Sequence, residues 1–120
     1  MALPQDCKKL NEFNSDFRAN GYKLHVQTIE YHWNNGGSKM EDMPGDFLDV
    51  EVRIIGTSRK LSPLEALAVE KQVVLHKDHK EITHEPEGYA KLWHDNIVKR
   101  IQEQPTVYLQ NIADAIKKAL

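Results

Sequence analysis

The stretch Leu61–Gln104 constrains this chain most, because it holds a helix start, an amphipathic run and, between them, a knot of histidines and carboxylates. Ser62-Pro63-Leu64-Glu65 has the form of a capping box. The Ser62 hydroxyl can accept from a free amide of the first turn, Pro63 suits the first helical position, and Glu65 can reach back to the cap. The pattern predicts a helix from Pro63 to about Lys77, with Leu64, Leu67, Ala68, Val74 and Leu75 as its buried stripe. The β-branched run Val73-Val74-Leu75 leaves a short third strand as the alternative. Pro86, between Glu85 and Glu87, suits a second helix start. Tyr89, Trp93, Ile97 and Ile101, joined by Leu92 and Val98, then form a continuous stripe that Pro105 ends. Thr106 can cap a last helix with Tyr108, Leu109, Ile112, Ala115, Ile116, Ala119 and Leu120 on one face.

Upstream, residues 4–20 read as a helix. Leu3, Cys7, Leu10, Phe13 and Phe17 fall roughly on one side, and Asn20-Gly21 supplies a stop. Tyr22–Trp33 reads as a strand whose apolar phase changes, from Tyr22, Leu24 and Val26 to Ile29, Tyr31 and Trp33. Either a residue near Gln27-Thr28 is bulged or the strand is covered on both sides. Asn34–Asp46 is a long connection rich in Asn, Gly and acidic groups. Phe47–Ile55 is the cleaner strand: Leu48, Val50, Val52 and Ile54 alternate with Asp49, Glu51 and Arg53, which predicts one buried and one wet face.

The expectation is therefore a single α+β domain over residues 1–120: an N-terminal helix, an antiparallel β-hairpin with a long loop, then three helices packed on the sheet. A two-stranded sheet is marginal alone, so the helices must cover it or a second copy must extend it. With the wide apolar faces of the last helices, this predicts a homo-oligomer.

Composition narrows the function classes. A hydrophobic fraction of 40% and a charged fraction of 28% belong to a folded domain. A net charge of −2, without a basic stripe in either half, disfavours a nucleic-acid partner. Cys7 is the single cysteine, so no intrachain disulfide forms, and it reads as a small core residue. No leader sequence and no long apolar span is visible, which sets the expected location as cytoplasmic with no membrane contact.

Four kinds of chemistry are conceivable. His76, His79 and His84, with Asp78, Glu81 and Glu85 among them, could hold a divalent metal, although the spacing matches no zinc signature. A solvated helix end with His and Lys against the dipole explains the same residues. Asp46, Asp49, Glu51 and Arg53 faintly echo a magnesium-dependent nuclease, but Arg cannot serve as a base. No serine lies in a nucleophile-elbow setting. Tyr31, Trp33 and Trp93 could stack on a ligand ring while Arg53, Arg59 or Arg100 holds phosphate.

With no cofactor demanded, the sequence favours a small non-catalytic binding protein of accessory, inhibitor or assembly-subunit type, acting through protein–protein contacts. Its partner loop would include Asn34, Asn35, Lys39, Glu41 and Asp42. The alternatives are a small-ligand or nucleotide-binding protein and, further off, a metal-dependent hydrolase or nuclease built on His76–His84.

Overall fold

Ala19 pairs with Tyr22, and that pairing turns the expected N-terminal helix into a strand. The computed structural model describes residues 7–19, 21–33, 45–57, 60–105 and 117–118. Within them run β1 (Cys7–Ala19), β2 (Tyr22–Trp33), β3 (Gly45–Thr57), α1 (Pro63–Lys71), β4 (Val74–Glu81) and α2 (Tyr89–Glu103). The strands form one antiparallel sheet in the order β1-β2-β3-β4.

The expected helix over residues 4–20 is thus corrected to β1. Phe13 and Phe17 are four apart, a spacing that satisfies a helical face and a strand face equally. What decides is their company: residues 13, 15, 17 and 19 are covered while 14, 16 and 18 are exposed. The chain therefore turns back between Ala19 and Tyr22, with Gly21 at φ +83°. An Asn-Gly pair favours such a turn because glycine reaches positive φ without a Cβ clash.

The expectation of three helices on a hairpin fails for a second reason. α1 ends at Lys71, where Gln72 turns into the left-handed region at φ 48° and its amide closes on the Ala68 and Val69 carbonyls. The chain re-enters the sheet as β4, so Val74 and Leu75 belong to a strand. The capping box is as the sequence reads, with the Ser62 hydroxyl accepting from the Glu65 amide. The domain is therefore sheet-dominated, and two helices are described. The last helix expected from Thr106 lies outside the described residues apart from Lys117 and Lys118.

Both helices lie against one face of the sheet. Leu24 and Val26 of β2 stand opposite Ile54 and Val52 of β3, and opposite Phe17 and Ser15 of β1. Ala68 of α1 and Ala90, Ile97 and Ile101 of α2 close over them. Leu24, Val26, Leu48, Val50, Val52, Ile54 and Ile101 are fully buried, each worth about 1.5–3 kcal/mol of apolar transfer. Leu92, placed in the α2 stripe by sequence, is instead 58% exposed.

β2 changes its apolar face without a bulge at Gln27-Thr28, where pairing continues unbroken on both sides. Ile29, Tyr31 and Phe47 are buried in a second cluster with Cys7 and Trp33, on the face away from the helices. Among the described residues no helix is long and apolar enough to cross a membrane.

Candidate functional site

Strict alternation on β3 and β4 sends Asp49, Glu51, His79 and Lys77 to the face opposite the helices. Register sets Asp49 against His79 and Glu51 against Lys77. Oppositely polar side chains directly across an antiparallel pair attract, so the sequence places a carboxylate–imidazole pair and a carboxylate–ammonium pair at this edge of the sheet. Asp49, Val50, Glu51, Lys77, Asp78 and His79 border an open cleft of ≈ 360 Å³ at this edge, with the Val50 and Asp78 side chains on the other face of their strands.

The imidazole of His79 is held from two sides. Its Nδ1 bonds the Asp49 carboxylate and lies 3.4 Å from the Tyr31 hydroxyl. Its ring stacks on Phe47, with centroids 5.5 Å apart and planes 15° from parallel. Phe47 stacks in turn on Tyr31 at 5.8 Å and meets the edge of Trp33 at 6.2 Å. Burial, and then the negative Asp49 beside it, push the Tyr31 hydroxyl far above its ordinary pKa, so it stays protonated. The His79 side chain nevertheless remains 55% exposed. With Nδ1 committed to Asp49, Nε2 is the atom presented to an incoming group.

Glu51 behaves differently from the wet residue its alternation predicts. Its side chain is 8% exposed, and Arg53 donates to it at 2.7 Å while Lys77 stands 3.9 Å away. Burying a carboxylate is tolerable only with such partners.

The residues singled out as metal ligands do not converge. His76 and His79 are three apart on β4, which puts them on opposite faces, and His84 follows in the turn after Ile82. Among the described residues no group of three His, Cys, Asp or Glu side chains is placed to hold a metal ion. Asp46 bonds His32 at 2.7 Å and so stands apart from Asp49 and Glu51.

Of the stacking residues, Tyr31 and Trp33 share the open face with Arg53, but Tyr31 is only 3% exposed and offers no free ring face, while Trp33 is half-buried. Trp93 lies on α2 beside Tyr89, where the Lys80 ammonium sits 4.6 Å from its ring centre. Arg100 is exposed on α2, remote in the fold from the sheet face that carries Tyr31. Arg59 and the loop residues Asn34, Asn35, Lys39, Glu41 and Asp42 lie outside the described residues.

One constellation escaped the sequence reading. His94 of α2 is 2% exposed, with Nε2 2.7 Å from the Ser15 hydroxyl and Nδ1 2.8 Å from that of Thr28. Burial lowers its pKa, keeping the imidazole neutral with one donating and one accepting nitrogen. A Ser–His contact can activate a nucleophile, but here the second nitrogen meets a hydroxyl where a triad supplies a carboxylate to stabilise the imidazolium. The trio ties α2 to β1 and β2. Its signal was His94 at helical spacing from Ala90, Ile97 and Ile101, on the face that became buried.

Comparison with protein families, with characterised proteins and with solved structures returns no match for this chain.

Proposed function

We propose that this chain is a small non-catalytic binding protein that works through protein–protein contacts as a homo-oligomer, and that the β3–β4 cleft receives a cationic segment of its partner. The observation that carries this reading is the cleft's lining. Asp49, Glu51 and Asp78 bring three carboxylates to this edge, Asp78 from the other face of β4, against the Lys77 ammonium, the Arg53 guanidinium and the His79 imidazole. An excess of carboxylates at an open, preformed edge favours Lys or Arg side chains. The stacked rings of Phe47 and Tyr31 brace His79, so little ordering cost attends recognition there.

The test is calorimetric titration with a pool of short Lys/Arg-rich peptides and a matched Asp/Glu-rich pool. The basic pool should bind, and Asp49→Asn combined with Asp78→Asn should weaken it about tenfold or more, in keeping with loss of two charged acceptors. Binding of the acidic pool alone, or unchanged affinity in the double variant, would remove the cleft from the reading.

A further inference from the structure

The outer edge of β1 is the longest strand edge among the described residues. Among the described residues β1 has β2 as its one neighbour in the sheet, and it opens with a bulge between Lys9 and Asn11. From Asn11 to Ala19 the pairing with β2 is regular, and the chain then turns. Such an edge carries a row of outward amide and carbonyl groups and templates another strand unless something blocks it.

We propose that the occupant of this edge is the β1 strand of a second copy, running antiparallel about a twofold axis at Ser15. This proposal rests on the homo-oligomeric part of the reading above and is independent of the cleft, which lies at the far edge of the sheet. Ser15 is the midpoint of the regular segment Asn11–Ala19, so a dyad there uses all of it and stops at the bulge.

The side chains are self-complementary in that register. Glu12 stands opposite Arg18 of the second copy, and Arg18 opposite its Glu12. Asn14 faces Asp16, an amide donor against a carboxylate, and Phe13 faces Phe17 on the helix-covered side. Glu12, Asn14, Asp16 and Arg18 are all exposed on β1, where Asn14 and Asp16 also bond His25 of β2, so each would share its polar atoms between the two strands. Glu12 is already held ionised by its hydrogen bond from Asn14 and by Lys9.

Neighbouring registers are worse. A dyad at Asn14 sets Glu12 against Asp16 twice, and a dyad at Asp16 sets that carboxylate against itself. Like charges directly across an antiparallel pair repel. The β4 edge fails the same test: its two central registers put Lys77 on Lys77 or Asp78 on Asp78. A run of charges there, Lys77-Asp78-His79-Lys80-Glu81, is the usual guard of an edge meant to stay single. β1 and β4 thus differ in kind, and dimerisation through β1 would join two sheets into one of eight strands, with both sets of helices on the same side.

Sedimentation equilibrium of the full chain across a concentration series tests this, using Glu12→Arg, Arg18→Glu and the double exchange Glu12→Arg/Arg18→Glu. Both positions are exposed, and circular dichroism confirms that each variant folds. The wild type should be a dimer. Each single reversal should weaken it about tenfold or more, because two repulsive pairs replace two attractive ones. The double exchange should restore the dimer. A monomeric wild type would overturn the proposal together with the homo-oligomeric reading. An oligomer indifferent to both single reversals, or a double exchange no better than either, would overturn the β1 register while leaving oligomerisation standing.

Discussion

His94 stands 2.8 Å from the buried Thr28 hydroxyl, and that contact fixes α2 over the centre of β2. Because burial lowers the imidazole pKa, the folded chain refuses a proton that the unfolded chain accepts below its ordinary value of 6.5. Stability linked to this group is therefore present above that pH and is lost as pH falls from there toward the folded pKa. Thermal unfolding followed by circular dichroism should show the midpoint falling on acidification through this window. His94→Leu should remove that part of the pH dependence. It should also cost about 1–3 kcal/mol at neutral pH, since Thr28 keeps a buried hydroxyl without its partner.

The exposed Leu92 and the buried Ile101 separate what was one stripe in the sequence. Leu92→Ser should change stability by less than about 0.5 kcal/mol, as surface substitutions usually do. Ile101→Ala removes a fully buried side chain and should cost about 2–5 kcal/mol. Denaturant midpoints of the two variants decide it; equal losses would contradict the placement of α2.

Trp93 gives a third contrast. Its indole Nε1 is buried and has no hydrogen-bond partner among the described residues. Trp93→Phe therefore gives up ring area and the stronger cation–π partner of Lys80 but no indole hydrogen bond. It should destabilise less than Ile101→Ala in the same unfolding assay. A larger loss would mean that the indole nitrogen is engaged after all.

How much of this was legible in the sequence depends on whether a pattern had one meaning. The capping box at Ser62 and the alternation of Leu48, Val50, Val52 and Ile54 each had one, and α1 and β3 follow them. Phe13 and Phe17 had two meanings, because four residues is both a helical turn and an even number of strand positions. Asn20-Gly21 was likewise a helix stop and a hairpin turn. Val73-Val74-Leu75 carries the β signal that ends α1, yet the preceding helical spacing continues through it. For the site, Asp49, Glu51 and His79 were visible as residues, but their meeting depends on β4 lying beside β3, which no local pattern encodes. Reading His76 and His79 on a helix brought them together, and the strand period drives them apart.

A recognition cleft requires that binding be felt at Asp49, Glu51, Lys77 and His79 before anywhere else on the chain. Amide and imidazole chemical shifts of isotopically labelled protein, followed during titration with the Lys/Arg-rich peptide pool, measure this directly. The largest changes should cluster on those four residues and Asp78, with the His79 ring signals moving most and the buried His94 ring unmoved. Shifts confined to α2, or spread evenly over the surface, would contradict the assignment of the cleft.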